Sequence, residues 1–179
     1  MISHGISRRE SNMVRIFWYV QKEPEFVWRG NLNKDDGRIA LPMYFCRDCG
    51  ASGWISRRLA TDDRYCSDVK TVNTAFAERE KEVYLLNTEM KRHEAVDDYI
   101  SENAVNITKY VKLKDLTEVS LSDSDTIRLR VCSKTTSNKN GNQKFTRNCP
   151  ECNGSDTICQ IGGRTSTPYF GSGRVLSID

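Results

Sequence analysis

The chain of 179 residues is long enough for one folded domain with a core, and its composition excludes several classes of protein. Hydrophobic residues make up 37% and charged residues 28%, and no apolar run approaches the length that crosses a bilayer. The N-terminal residues also lack the apolar core and cleavage site of a signal peptide. We therefore expect a cytoplasmic protein without membrane contact. A net charge of +3 is too small to indicate nucleic-acid binding by itself.

The N-terminal part of the chain alternates short strand patterns with turns. Residues 1–12 are polar and predict a flexible tail, whereas residues 14–20 have the β-branched and aromatic content of a strand. A second short strand is expected at residues 26–28. Residues 39–45 form an apolar strand pattern that leads into a cysteine turn, and residues 53–56 predict the strand that returns from it.

Helical spacing of apolar residues begins after the first cysteine turn and predicts a helix over residues 69–81. Residues 83–86 are a short apolar run that fits either the end of this helix or a buried strand, and we favour the strand. Residues 89–98 are too charged for a core and predict a short helix or a loop. Residues 106–121 offer only small, poorly defined apolar groups.

The C-terminal third begins with a clear strand pattern, because apolar residues in 126–131 alternate with Arg128 and Arg130. Both guanidinium groups are therefore expected on one face of a half-buried strand. Residues 133–148, the basic loop, are a stretch of Ser, Thr, Asn, Gly and Gln that also carries cations, and predict a mobile hairpin or a disordered tip. A returning strand is expected at residues 157–161. The basic loop contains no acidic residue and four cations: Lys134, Lys139, Lys144 and Arg147.

Two Cys-x-x-Cys turns predict a four-thiolate metal site. The two-residue spacing lets both sulfurs of a turn face one ion at ~2.3 Å. The residue after each second cysteine must often take a positive φ angle, which Gly50 and Asn153 tolerate. Zinc is the expected metal, in a closed structural site. The predicted ligands are Cys46, Cys49, Cys149 and Cys152.

Two alternatives to a metal site are a redox Cys-x-x-Cys pair and a pair of disulfides. A redox motif is expected near a βαβ pattern and disulfides in a secreted chain, and neither context is visible. Cys66, Cys132 and Cys159 remain as spare thiols, which we expect not to bind the metal.

The fold class that follows is α+β, a zinc-ribbon-like antiparallel sheet with a helix-containing insertion between the two cysteine turns. The turns are separated by 99 residues, but the entropic cost of closing a loop rises only logarithmically with its length. We expect a single zinc-binding domain at residues 13–165, with the insertion at 60–132 and a C-terminal tail at 166–179.

Catalytic motifs are incomplete in this sequence. The stretch from His93 to Asp97 begins like a zinc-protease motif but lacks the second histidine. The His-x-Glu motif of nucleobase deaminases is missing, and the glycines near residues 162 and 171 lack the Lys-Ser/Thr continuation of a phosphate-binding loop. We predict no catalytic residues and expect that this chain is not an enzyme.

Three stretches of the chain resemble the cysteine-rich segment within large bacterial superfamily 2 helicases of the DEAD/DEAH type, including those linked to phage defence. They are residues 14–20, residues 41–54 and residues 149–152 with 161–166. The resemblance follows the chain in order and is specific at these stretches. It implies a zinc-binding insertion near the junction of the ATPase lobes, which helps to shape a DNA path or a partner surface.

The chain also departs from that helicase pattern. ATP-binding and DExH motifs are missing, and residues 167–179 fit the pattern poorly. The resemblance therefore implies a piece of an ATP-dependent helicase, with the remaining helicase domains as protein partners, rather than the motor.

Two functions remain open at this point. The first is a helicase accessory domain that contacts nucleic acid, DNA rather than RNA, through Arg128, Arg130 and the cations of the basic loop. The second is a zinc-stabilised protein-interaction module without a nucleic-acid role. We favour the first. Convergence of these cations on one face, with an exposed aromatic residue such as Phe145 among them, would distinguish the two functions.

Overall fold

A computed structural model describes residues 16–21, 26–28, 37–88 and 97–161, which form a largely antiparallel open sheet with one helix. The expected α+β class is confirmed at this level. The predicted tails at 1–12 and 166–179, and most of segment 89–98, lie outside the described residues. The elements in chain order are β1 (Ile16–Tyr19), β2 (Phe26–Trp28), β3 (Ala40–Cys46), β4 (Ser52–Arg57), α1 (Val69–Glu78), β5 (Val83–Asn87), β6 (Tyr99–Ile100), β7 (Ala104–Lys112), β8 (Glu118–Val119), β9 (Thr126–Ser137), β10 (Gln143–Phe145) and β11 (Ile158–Ile161).

The main path of the sheet runs in the order β2, β1, β3, β4, β5, β9, β7, β6. Three further strands extend it, because β11 pairs with β3, β10 with β9 and β8 with β7. One side of β3 contacts β4, and the other contacts β1 near its start and β11 near its end. β3 therefore joins the N-terminal strands, the first cysteine turn and the C-terminal strand of the described chain.

Strands were predicted correctly wherever their apolar content was high. The patterns at 14–20, 26–28, 39–45, 53–56 and 157–161 correspond to β1, β2, β3, β4 and β11. The strand alternative for residues 83–86 is confirmed, because β5 pairs with β4 on one side and β9 on the other.

Helix α1 begins and ends through capping interactions. The Asp68 carboxylate accepts a hydrogen bond of 2.9 Å from the N–H of Thr71, as an N-cap residue does. Arg79 takes a left-handed conformation with φ of 58° and caps the helix, whose last residue, Glu78, lies three residues before the predicted end at residue 81. The helix buries Val72 and Phe76 in a core that also contains the cysteine turns.

Two hydrophobic clusters make up most of the core, and alternation along β9 separates them. Ile127, Leu129 and Val131 belong to one cluster, whereas Cys132 belongs to the other, which α1 covers. The predicted alternation of apolar residues with Arg128 and Arg130 is therefore confirmed.

Strand β7 begins before residues 106–121, where the sequence offered only small, poorly defined apolar groups, and covers the first part of that segment. All nine residues of β7 pair with β9. Polar Asn106 and Thr108 occupy positions of β7 where apolar residues would have produced the alternation typical of a strand. Both side-chain oxygens accept hydrogen bonds of 2.7 Å from the Arg130 guanidinium.

The outer edge of β7 is covered in two separate places, by β6 and by β8. Between these strands the N–H of Thr108 points away from β9 and donates to the Asp98 carboxylate at 3.2 Å. A side chain thus occupies the position where a neighbouring strand would accept this hydrogen bond.

The basic loop forms a hairpin, which is one of the two predicted alternatives. β9 continues to Ser137, and β10 pairs with it in the register Lys144 opposite Thr136. The side-chain oxygen of Asn138 closes the turn by accepting from the N–H groups of Asn140 and Asn142. Of the described residues, none belongs to a helix with the length and apolarity needed to span a bilayer.

Replacing Gly53 with alanine is expected to destabilise the sheet. A β-carbon at this position would lie 2.3 Å from the carbonyl oxygen of Leu86 and 2.9 Å from Cε1 of Tyr44. Overpacking of this kind costs about 1–3 kcal/mol in the free energy of unfolding. Urea denaturation of Gly53→Ala should show this loss, whereas Ser52→Ala should change stability much less. Equal stability of the two variants would contradict the tight contact.

Candidate metal centre

The sheet brings the two cysteine turns together. The first turn follows β3, which ends at Cys46, and the second precedes β11, which begins at Ile158. Because β11 pairs antiparallel with β3 and places Ile158 opposite Cys46, the end of one turn meets the start of the other.

The backbones of the two turns make the same hydrogen bonds. In each turn the N–H of the first cysteine donates to the carbonyl five residues later, and the N–H four residues later donates back to the carbonyl of the first cysteine. This repetition shows that the two sequence motifs form equivalent turns. The four bonds are Cys46 N to Ala51 O (2.7 Å), Gly50 N to Cys46 O (3.0 Å), Cys149 N to Gly154 O (3.0 Å) and Asn153 N to Cys149 O (3.0 Å).

The residue after each second cysteine has the positive φ angle that was predicted. Gly50 has φ of 73° and Asn153 has φ of 58°. Glycine adopts this conformation without steric cost, and asparagine is among the residues that tolerate it best.

The four sulfurs form one cluster, with all Sγ atoms within 4.8 Å of one another. Sulfurs from different turns come close, because Cys46 lies 3.7 Å from Cys152 and Cys49 lies 3.6 Å from Cys149. A tetrahedral ion with bonds of ~2.3 Å to sulfur has sulfur–sulfur edges of ~3.8 Å. The cluster is therefore within metal-binding distance, and the predicted cysteines are the residues that the fold brings together.

Backbone N–H groups point at the sulfurs and favour the thiolate form that binds metals. The N–H of Glu151 donates to Sγ of Cys149, and the N–H of Gly154 donates to Sγ of Cys152, both at 3.4 Å. Burial raises the pKa of Cys149, and the hydrogen bonds do not offset it. Its proton must therefore leave when a metal binds, so metal affinity falls as the pH falls.

Cys46 has the opposite protonation preference. Burial raises the pKa of its thiol, but hydrogen bonds with the Thr157 hydroxyl and with the N–H groups of Cys49 and Asp48 outweigh burial and bring the pKa to about 6. These hydrogen bonds therefore favour the thiolate form of Cys46, the form that binds metals.

Two further residues belong to the site: Thr157, which the sequence analysis missed, and Gly154, whose role it explained only in part. The Thr157 side-chain oxygen lies 3.2 Å from Sγ of Cys46, and its carbonyl accepts from the N–H of Arg47 at 3.0 Å. A β-carbon at Gly154 would lie 2.8 Å from Oδ2 of Asp48, so glycine allows the turns to approach closely. The sequence shows Gly154 only as an exit from a turn, and nothing in it singles out Thr157.

The spare cysteines lie outside the four-sulfur cluster. Cys132 is buried and donates to Oδ1 of Asn106 at 3.3 Å, and burial raises its pKa to about 12, so its thiol is not poised for metal binding. Cys66 and Cys159 are half-buried, and each contacts a backbone carbonyl at 3.9 Å. Of the residues described, only the four turn cysteines form a potential metal-binding group of three or more ligands.

Two of the six cations predicted to bind nucleic acid have structural contacts. Arg130 forms an ion pair with Asp98 in addition to its contacts with β7. The Arg147 guanidinium lies 4.6 Å from the ring centre of Phe76 and donates to the carbonyl of the same residue at 3.4 Å. Sequence patterns could not reveal these contacts, because the partners are distant along the chain.

The remaining predicted cations are exposed, namely Arg128, Lys134, Lys139 and Lys144. Phe145 is not exposed among them, because only 1% of its surface is accessible and its ring packs 6.0 Å from that of Phe76. The exposed aromatic platform that would mark a single-strand binding surface is therefore missing from this hairpin.

These features define a sheet-rich protein with four cysteines arranged as potential ligands of one metal ion. Comparison with known proteins finds no matching family model, no similar curated protein and no similar solved structure.

Removing the Thr157 hydroxyl is expected to weaken metal binding, because a group that hydrogen-bonds a ligand atom typically contributes 10–100-fold to metal affinity. Thr157→Val should lose affinity in this range, whereas Thr157→Ser should keep most of it. Competition with a chromogenic chelator measures the difference. Equal affinities for the valine variant and the wild type would show that the contact with Cys46 does not support the site.

Proposed function

We propose that the protein is a non-catalytic domain in which Cys46, Cys49, Cys149 and Cys152 bind one structural zinc ion. The observation that carries this proposal is the single cluster of four sulfurs, supplied by two equivalent turns. Four thiolates complete a tetrahedral zinc site and leave no position for a substrate or an activated water. The role of the metal is therefore to hold the two turns together.

The zinc-ribbon-like part of the fold, in this proposal, consists of β3, β4, β11 and the two cysteine turns. Residues 60–132 are then an insertion that shares the sheet, supported by the pairing of β4 with β5. The ribbon and the insertion then belong to the single domain expected at residues 13–165, and the continuity of their strands in the described part of the sheet supports this grouping.

Metal analysis of the purified protein is expected to show one zinc ion per chain. Structural zinc contributes on the order of 10 kcal/mol of apparent binding energy, most of it folding energy, so chelation should loosen the domain. Substitution by Co²⁺ should produce the visible bands of tetrahedral thiolate coordination. Each of Cys46→Ser, Cys49→Ser, Cys149→Ser and Cys152→Ser should lose or weaken binding.

The matched control is the triple variant Cys66→Ser/Cys132→Ala/Cys159→Ser, which should keep the wild-type zinc content. A second metal equivalent that disappears in this variant would contradict the assignment of ligands. Iron in place of zinc would contradict the choice of metal, because four thiolates also suit iron.

We further propose, from the resemblance to helicase segments, that the domain is an accessory or insert domain of a DEAD/DEAH-type helicase that contacts DNA. The exposed cations support this role. Arg128 and Lys134 are six positions apart in β9, an even offset, and Lys144 lies opposite Thr136, so these three side chains share one face of the sheet. Lys139 lies at the tip of the same hairpin.

The structure also favours the second candidate, a zinc-stabilised module that binds another protein. Arg130 and Arg147 are engaged within the fold, and Phe145 is buried. Exposed apolar side chains instead lie near the β6 and β8 edge, namely Tyr99, Ile100 and Leu121 at 49%, 70% and 79% accessibility. Exposed apolar groups are a common feature of protein-binding surfaces.

Fluorescence anisotropy with single-stranded and duplex DNA separates these two candidates. If the exposed cations neutralise phosphates, log affinity should fall linearly with log salt concentration, with a slope of about −0.7 to −0.9 per contact. Replacing Arg128, Lys134, Lys139 and Lys144 with Gln should flatten this slope and weaken binding about equally on unrelated sequences.

The control replaces four other exposed lysines with Gln, giving the same change in net charge: Lys70, Lys81, Lys112 and Lys114. Similar slopes for the two quadruple variants would contradict a specific role for the hairpin cations. No binding of wild-type protein at low salt would contradict DNA contact and leave the protein-binding role.

A further inference from the structure

The four sulfurs of the metal centre differ in their access to solvent. Cys46 and Cys149 are each only 1% accessible, whereas Cys49 is exposed and Cys152 is half-buried. Each close pair of sulfurs joins one accessible and one buried cysteine from opposite turns, Cys49 with Cys149 and Cys152 with Cys46. A small oxidant can therefore reach the more accessible sulfur of each pair, and the buried sulfur lies next to it.

We propose that the centre is a peroxide-sensitive switch, in which hydrogen peroxide converts the four thiolates into two disulfides that link the turns. This inference rests on the proposed zinc function, because it describes regulation of the same site. The disulfides expected are Cys49–Cys149 and Cys46–Cys152, and zinc leaves as Zn²⁺ when its ligands are consumed.

The chemistry balances for each pair. The Cys49 thiolate attacks one oxygen of hydrogen peroxide, the O–O bond breaks and hydroxide leaves, so that Cys49 becomes a sulfenic acid. The Cys149 thiolate then attacks the Cys49 sulfur, the S–O bond breaks and a second hydroxide leaves as the disulfide forms. Two thiolates lose two electrons to one peroxide. Cys152 and Cys46 react in the same way with a second peroxide.

The geometry places sulfurs of opposite turns within reach of a link. Sulfurs that lie 3.6 Å and 3.7 Å apart need to approach by roughly 1.6 Å to reach a disulfide bond of ~2.05 Å. The pairing of β11 with β3 and the contact of Thr157 with Cys46 hold the turns face to face during this step. Oxidation thus replaces a metal cross-link by covalent cross-links between the same turns and removes the negative charge of the thiolates.

The test uses the zinc-loaded chain of 179 residues, titrated with hydrogen peroxide. A chromogenic chelator measures released zinc, and mass spectrometry of unreduced peptides maps the disulfides. We expect complete release with two peroxide molecules per zinc ion, peptides linked as Cys49–Cys149 and Cys46–Cys152, and recovery of zinc binding after dithiothreitol and zinc are added. The variant Cys66→Ser/Cys132→Ala/Cys159→Ser should behave alike, and wild type serves if this variant does not fold.

Retention of zinc in excess peroxide would overturn the proposal. Disulfides within a turn, Cys46–Cys49 or Cys149–Cys152, would overturn it as well, as would oxidation only to sulfinic acid. A protein that contains no zinc before oxidation would contradict the proposed function instead, and the disulfide map of that sample would still test the predicted pairing.

Discussion

The pairing of β11 with β3 is the constraint on which the candidate metal centre depends, because it brings the second cysteine turn against the first. The turns are 99 residues apart in the sequence, and the intervening chain is folded into strands that continue the sheet from β4. In a chain-entropy description, a cross-link that closes a loop of about 100 residues removes roughly 4–5 kcal/mol of conformational freedom from the unfolded chain. Strand pairing and a bound metal would therefore support each other: the sheet aligns the sulfurs, and the ion would hold the two turns together.

Much of the metal centre could be predicted because its determinants are local. Cysteine spacing determines which sulfurs share a turn, and Gly50 and Asn153 follow the second cysteines where the chain reverses with positive φ. The cores of the strands were predictable for the same reason, since β3 and β5 have apolar runs that need no distant partner to be noticed. The end of α1 was less predictable, because the left-handed conformation of Arg79 is not typical of arginine.

What the sequence could not reveal depends on contacts between distant residues. Strand β7 lacks a clear apolar alternation, since Asn106 and Thr108 face Arg130, a residue more than twenty positions away. The same contacts changed the interpretation of the cations: Arg130 and Arg147 resemble exposed basic residues in the sequence, yet each has a partner within the fold. Counting charges along a chain therefore overestimates a binding surface wherever arginines also hold strands or stack on aromatic rings.

The carboxylate of Asp98 has a consequence for association between molecules. By accepting the hydrogen bond from Thr108 between β6 and β8, it occupies a backbone donor that the margin of a sheet would otherwise offer to a strand from another chain. A charge at this place also opposes the approach of an uncharged extended segment, a known means by which β-proteins resist fibre formation. One acidic side chain thus combines two tasks at this margin: it anchors Arg130 inside the molecule and hinders templated growth outward.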